Sequence, residues 1–277
     1  IKLLDIASGT VQQITNCQDA TCTNPVWRPD GQTIAYHRLD ANTSIAGIGP
    51  SITRIWLVDV TGTVFNNRPL FDDFQIVGHS PTWSGDGQRI AIYDPTAPGI
   101  LVRDLNDQSI AMIPSLNGTM GTLSPDGTQL VFPNIDAGMT SPIRNFLQVA
   151  DLTSNEVNQL TTLDDAIDDT MAAWHPNGRD LAIARRYVDE RFTRGPQIYL
   201  LDSETGEAEP LVVDPAYVNG FFSWSPTGDQ IVLQRFQTLD AQGNPTQNAR
   251  TEVWVYNRTT DALVRVAVDA FLPHWVP

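Results

Sequence analysis

The sequence predicts an all-β fold, a six-bladed β-propeller, on three observations. A phrase with an anchor residue that is usually tryptophan, a Pro-Asp-Gly type turn and an alternating apolar strand recurs five times in the 277 residues, and the anchor tryptophan recurs near the C-terminus. Two further strand-like runs follow each copy, so a repeat holds four strands, the number in a propeller blade. The chain also opens with runs that match the second half of a repeat.

The first strand of each repeat ends at an anchor residue, which is usually tryptophan. The spacing of the anchors is 40 to 56 residues, the length of a four-stranded blade with its loops. They are Trp27, Trp83, Leu123, Trp174, Trp224 and Trp275. A turn follows, in which proline presets φ and glycine accepts a positive φ. Because tryptophan recurs once per blade on an inner strand, we predict that it packs between blades.

The remaining strands follow in a constant order. The second strand is an alternating apolar strand, as in TIAYHR and RIAIYD, and its pattern suits a pleated surface. After a variable loop, the third strand ends in Asp or a similar polar residue, as in RIWLVD and QIYLLD. A turn and a more polar fourth strand complete the repeat. This order predicts four antiparallel strands per blade.

The two ends of the chain are predicted to share the last blade. Residues 1–15 match third and fourth strands and residues 271–277 match a first strand, so both termini would close blade six within a single domain, 1–277. Closure removes unpaired sheet edges. No run in the sequence matches the second strand of this blade. We therefore expect either further residues upstream of Ile1 or a sixth blade of three strands.

Composition narrows the classes of partner and compartment. Acidic residues outnumber basic ones 32 to 17, giving a formal charge of −15, which disfavours nucleic acid and anionic membrane surfaces as partners. No apolar run reaches the length of a transmembrane helix. Cys17 and Cys22 are predicted to form a local disulfide, the alternative being two free thiols. A disulfide would place the protein in an oxidising compartment.

The W-S-P-D-G phrase, followed by an I-A-like strand and an I-Y-L-L-D-like strand, resembles the TolB-type propeller repeat over nearly the whole chain. The sequence departs from this pattern at four positions, where Gly85 replaces proline, Leu123 replaces tryptophan, and Asn177 and Thr227 replace aspartate. The resemblance implies the fold. It does not imply one function, because similar blades occur in TolB, in prolyl oligopeptidase-like enzymes and in some polysaccharide lyases.

Functional residues are expected on one face, where the loops after the second and fourth strands meet around the channel mouth, because the opposite face has only tight turns. Aspartates gather on the loops after fourth strands: Asp72, Asp73, Asp164, Asp165, Asp168, Asp169, Asp214 and Asp269. Arginines gather shortly before third strands: Arg54, Arg144, Arg191, Arg194 and Arg250. His79 is the histidine expected nearest the mouth.

Each group has two interpretations. The aspartates are either a solvated acidic surface or a cation site, such as a Ca²⁺ site on D-D-A-I-D-D, although that run lacks the glycine spacing of a calcium loop. The arginines either pair with neighbouring aspartates between blades or bind a partner's carboxylate or a uronic acid. A lone His79 supplies neither a metal site nor an oriented base.

We therefore predict a non-catalytic propeller, periplasmic or secreted, that binds a protein or serves as a scaffold subunit of an envelope-associated assembly, with no cofactor. The predicted partner-binding residues are Arg54, Asp72, Asp73, His79, Arg144, Asp165, Asp168, Asp169, Arg191, Arg194 and Arg250. The alternative is a propeller lyase or hydrolase acting on acidic glycans. The sequence has no G-x-S-x-G or S-x-x-K nucleophile motif with its partners, and only four histidines.

Overall fold

The computed structural model describes residues 1–41, 49–135, 143–247 and 249–275. These residues form two compact units, a first unit within Ile1–Met120 and a second unit, Gly121–Trp275. Parts of three of the predicted loops after second strands, and the last two residues of the predicted sixth blade, lie outside the described residues. The single-domain organisation over residues 1–277 stays a prediction. No helix in the described part of the chain is long and apolar enough to cross a membrane.

The first unit contains one two-stranded sheet and two four-stranded sheets, all antiparallel. The two-stranded sheet pairs β1 (Lys2–Leu4) with β2 (Val11–Gln13). The next sheet consists of β3 (Ala20–Trp27), β4 (Thr33–Asp40), β5 (Arg54–Asp59) and β6 (Asn66–Pro69). The third consists of β7 (His79–Trp83), β8 (Arg89–Asp94), β9 (Gly99–Asp104) and β10 (Ile110–Pro114).

The second unit contains three four-stranded antiparallel sheets in chain order. The first has β11 (Thr122–Leu123), β12 (Gln129–Ile135), β13 (Asn145–Asp151) and β14 (Val157–Gln159). The next has β15 (Ile167–Trp174), β16 (Asp180–Tyr187), β17 (Gln197–Asp202) and β18 (Ala208–Val212). The last has β19 (Tyr217–Trp224), β20 (Gln230–Gln237), β21 (Glu252–Asn257) and β22 (Ala262–Val268). All five four-stranded sheets have the up-and-down order of a propeller blade, as predicted.

The repeated turn forms between the first and second strands. In the turn after Trp83, Gly87 adopts a φ of 68° and donates its N–H to the Ser84 carbonyl at 2.9 Å. The Ser84 hydroxyl accepts the N–H of Arg89 at 2.9 Å. A serine hydroxyl thus satisfies a backbone donor that the tight turn leaves unpaired, which explains why serine recurs after the anchor.

The anchor tryptophans pack between sheets, as predicted. Trp174 and Trp224 are buried in separate apolar clusters of the second unit. In this unit the indole N–H of each anchor tryptophan also donates to a backbone carbonyl one repeat earlier: Trp174 to Thr122 at 3.2 Å, Trp224 to Ala173 at 3.1 Å and Trp275 to Ser223 at 3.3 Å. Every acceptor directly precedes the previous anchor. Trp275 therefore takes the position of a first-strand anchor.

The predicted sixth blade is not confirmed, since the described residues form five four-stranded blades. Among the residues that the structure describes, β1 pairs only with β2, and residues 271–275 form no strand. Two causes lie in the sequence. Pro273 has no N–H for a ladder hydrogen bond, and no run of the given sequence matches the second strand of a sixth repeat.

Candidate functional site

The two ends of the strands differ in the second unit. We call one the loop end, formed by the described parts of residues 136–144, 160–166, 188–196, 213–216, 238–251 and 269–275. The other is the turn end, formed by residues 124–128, 152–156, 175–179, 203–207, 225–229 and 258–261. The turn end has only tight connections. Functional side chains are expected at the loop end.

The two ends differ in how many exposed apolar side chains they carry. Those at the loop end are Ile143, Val188, Phe192, Val213, Phe271 and Leu272, and Phe192 and Phe271 are 58% and 70% exposed. The remaining exposed large apolar residues of the described second unit lie on the outer strands: Val157, Val264, Val266 and Val268. The turn end contributes none. The first unit shows no such separation, because Ile6 and Val64 are exposed in its turns.

The 188–196 loop that carries Phe192 is held by Arg191. Both carboxylate oxygens of Asp189 accept hydrogen bonds from this guanidinium, whose Nη2 also donates to the Asp165 carbonyl at 3.1 Å. Arg191 further lies 3.6 Å over the ring of Tyr187. The hydrogen bonds to Arg191 lower the pKa of Asp189. Arg191 therefore has a structural role within its own loop.

Further contacts fix the second half of this loop. The Phe192 N–H donates to the Asp189 carbonyl at 3.0 Å, and the Thr193 hydroxyl donates to the Gly195 carbonyl at 2.8 Å. A Cβ at Gly195 would lie 2.5 Å from the side chain of Val218, so only glycine fits against this strand. The exposed Phe192 is thus displayed on an ordered loop.

The other predicted arginines brace neighbouring loops. Arg54 donates to the carbonyls of Phe71 and Asp73 at 3.0 and 3.2 Å. Arg144 donates to the carbonyl of Leu163 at 3.0 Å. These contacts link the start of a third strand to the loop after the fourth strand.

Arg250 and Arg194 complete the predicted set. Arg250 pairs with Asp269, and both side chains are more than half exposed. Arg194 is exposed and has no acceptor among the described residues. Of the five arginines, Arg194 is therefore the one whose guanidinium is open to a partner.

The D-D-A-I-D-D run does not form one cluster. Asp168 accepts from Arg186 at 2.7 Å and from the side chain of Asn145 at 2.8 Å. Asp169 is fully buried and accepts two hydrogen bonds of 2.8 Å from Arg185. Burial raises the pKa of Asp169, and the bonds from Arg185 oppose that rise.

The first two aspartates of the run lie elsewhere. Asp164 and Asp165 belong to an exposed 3₁₀ turn, Leu163–Asp165. Asp72 and Asp73 are exposed in the first unit. In the parts of the chain that the structure describes, no three His, Cys, Asp or Glu side chains converge as metal ligands would.

A buried arginine in β20 was missed by the sequence analysis. Arg235 is 1% exposed, stacks 3.8 Å over Tyr217 and lies 5.3 Å from the Trp254 ring. Its Nη2 donates to Asp214 at 3.2 Å. The signal was an arginine within the apolar strand IVLQRF, because a buried charge needs a partner.

A second missed residue, His37, lies beside the predicted His79 in the first unit. The Ser80 N–H donates to His37 Nε2 at 2.9 Å, which makes that nitrogen an acceptor and the imidazole neutral. His79 Nδ1 lies 2.9 Å from the Ser80 hydroxyl. Ser80 lies in a bulge between His79 and Thr82 in β7, and bulges of this kind change the direction of the groups they contain. Burial, and then the charge of His79, lower the pKa of His37.

The lowered pKa of His37 predicts that the protein loses stability in mild acid. Below the ordinary pKa of 6.5 the unfolded chain binds a proton that folded His37 does not, so the free energy of unfolding falls as pH falls. Urea unfolding at a series of pH values from 8 to 5 measures this slope. His37→Gln, which keeps an acceptor for Ser80, should flatten it. An equal slope in the variant would contradict the assignment.

The first unit also contains the disulfide Cys17–Cys22, at the start of β3. Its neighbour across the ladder is Arg38, which lies opposite Cys22 in β4. Disulfides of this kind persist in oxidising compartments.

The repeated four-stranded sheets and their tryptophan anchors define a β-propeller protein. The sequence matches the TolB beta propeller domain family over residues 51–254, and the chain belongs to that family.

Solved structures with this fold differ in function. TolB from Acinetobacter baumannii superposes with a TM-score of 0.61 at 16% identity, over 95% of this chain and 58% of TolB. An oligogalacturonate lyase in complex with manganese superposes with a TM-score of 0.63 at 13% identity, over 97% of this chain and 72% of the lyase. At these identities the likeness concerns the fold.

One curated relative matches part of the sequence. Probable dipeptidyl peptidase 4 of Aspergillus clavatus is 25% identical over 134 residues, 47% of this chain. The chain spans 16% of the length of that relative.

Proposed function

We propose that this chain is a non-catalytic, extracytoplasmic protein-binding module, a scaffold or subunit of an envelope-associated assembly, and that it holds its partner at the loop end of the second unit. The observation that carries the proposal is the concentration of exposed apolar side chains at that end and not at the turn end. Exposed apolar patches rimmed by polar residues mark interaction sites.

The fixed conformation of the 188–196 loop supports binding of a protein. Phe192 and Arg194 are displayed two residues apart on a loop fixed by Arg191 and Gly195. Aromatic residues and arginine are the commonest anchors of protein interfaces. Because the loop is already ordered, binding costs little further conformational entropy.

The extracytoplasmic location is supported by the Cys17–Cys22 disulfide, since cytosolic thiols are kept reduced. Membership of the TolB beta propeller domain family agrees with it.

The lyase or hydrolase alternative is less well supported. Two carboxylates of the D-D-A-I-D-D run, Asp168 and Asp169, are held by arginines of β16. A glycosidase or lyase needs a carboxylate or histidine free to take up a proton beside its substrate.

Photo-crosslinking tests the proposal. A benzoylphenylalanine at position 192 should capture a partner in extracts of the cells that make the protein, and unlabelled wild-type protein should compete. The matched control places the same group at Thr205, an exposed turn-end residue. Equal capture from both positions would contradict a loop-end site. Release of new chain ends from an acidic polysaccharide by the purified protein would favour the enzyme alternative.

A further inference from the structure

Arg194 differs from almost all other arginines of this chain. The others, with one exception, donate to a carboxylate, carbonyl or amide oxygen of a described residue. With 32 acidic residues against 17 basic ones, carboxylates are abundant. An exposed arginine without an acceptor is therefore unusual on this surface.

The exception, Arg258, lies at the turn end. Its Nη1 is 3.2 Å from His175 Nε2. The Asn177 N–H donates to His175 Nδ1 at 3.1 Å, so Nε2 of the neutral ring carries the proton, and it donates to the Gly228 carbonyl at 3.0 Å. Two donors face each other, and Arg258 has no acceptor among the described residues. No exposed large apolar side chain accompanies it at that end.

Arg194 has an open guanidinium and shares its loop with an exposed apolar residue. Phe192 lies two residues earlier on the same braced loop and is 58% exposed. A guanidinium binds a carboxylate through two parallel hydrogen bonds, and water exclusion by an adjacent aromatic ring strengthens such a pair. A ligand that fits this loop would therefore have one negatively charged group beside an apolar side chain.

The net charge limits how acidic the partner is. A formal charge of −15 repels a strongly acidic chain at a distance, and salt screens that repulsion. A single carboxylate meeting Arg194 at contact distance gains the pair without that long-range cost. A run of acidic residues does not.

We infer that the partner presents a short peptide segment with one carboxylate beside an aromatic or aliphatic side chain, the carboxylate bound by Arg194 and the apolar side chain packed on Phe192. This inference rests on the proposed function. It adds the chemistry of the ligand.

The test uses a random peptide library displayed on phage and selected on the full chain. Selected peptides should share an Asp or Glu next to an apolar residue. Arg194→Gln should weaken the binding of a synthetic peptide of this kind about tenfold or more, because a hydrogen-bonded charge is lost. Replacing the peptide's Asp by Asn should weaken binding to the wild-type protein by the same factor. It should not weaken binding to Arg194→Gln any further. The matched control Arg258→Gln should bind normally.

Other outcomes distinguish a failure of the carboxylate inference from a failure of the loop-end site. Peptides that need Phe192 but have no acidic residue, or that bind Arg194→Gln as tightly as wild type, would overturn the carboxylate inference and leave the loop-end site standing. If neither Phe192→Ala nor Arg194→Gln changes the binding of the selected peptides, the loop-end site would be overturned as well. Val264→Ala, at an exposed apolar residue of β22, is the control for Phe192→Ala.

Discussion

Replacing Asp169 by Asn is expected to destabilise the protein by about 3–5 kcal/mol, the cost of breaking a buried ion pair by removal of one partner. The side chain of Asp169 is fully buried and that of Arg185 is 7% exposed, and two hydrogen bonds of 2.8 Å join them. The amide would leave the guanidinium charge buried without compensation. Urea unfolding followed by tryptophan fluorescence measures the loss.

An exposed pair provides the control. Arg68 and Asp59 approach within 2.6 Å, but both side chains are more than a third exposed. Asp59→Asn should therefore cost less than about 1 kcal/mol, because water already stabilises the separated charges. Similar losses for the two variants would show that burial does not set the strength of the Asp169 pair.

Replacing Trp224 by Ala is expected to cost about 3–5 kcal/mol, as for other large-to-small changes of buried aromatic residues. Trp224 is 7% exposed and packs with Phe222, Ile231 and Leu233. The variant loses this packing and also leaves the Ala173 carbonyl without its indole donor.

Trp224→Phe separates the two effects. It keeps most of the apolar contact and removes the hydrogen bond, so it should cost about 1–3 kcal/mol. Thermal and urea unfolding of both variants give the comparison. If the phenylalanine variant is as stable as wild type, the indole hydrogen bond has no part in holding adjacent repeats.

The fold could be predicted because its information is local and repeated. The turn after Trp83 needs a serine, a turn-forming pair and a glycine at positive φ, and these stand next to each other in the sequence. The second strands are recognisable as short apolar runs, and in the structure both of their faces are covered, since four or five consecutive residues are buried in β4, β8, β12 and β16. The prediction of blade six lacked this local support, because closure depends on strand pairing between segments that are distant in the sequence, and it was not confirmed.

The candidate site was harder to predict because it depends on pairing across strands. Asp169 lies opposite Arg185 on β16, next to a bulge between Asp169 and Met171 that shifts the register by one residue. A bulge of this kind has no signal in the sequence that reveals its position. Adjacent aspartates therefore face different arginines. The exposure of Phe192 likewise depends on the packing of Gly195 against Val218, which lies on another strand.

In the second unit, the indole of each anchor tryptophan donates to a carbonyl that comes earlier in the chain, and this order affects folding during synthesis. The acceptor carbonyls of Thr122, Ala173 and Ser223 all precede their donor tryptophans in the chain. On a ribosome, which releases the N-terminal part first, each acceptor emerges about fifty residues ahead of its indole. A newly made repeat thus meets a docking position that already exists, and the second unit can grow one repeat at a time without waiting for the C-terminus.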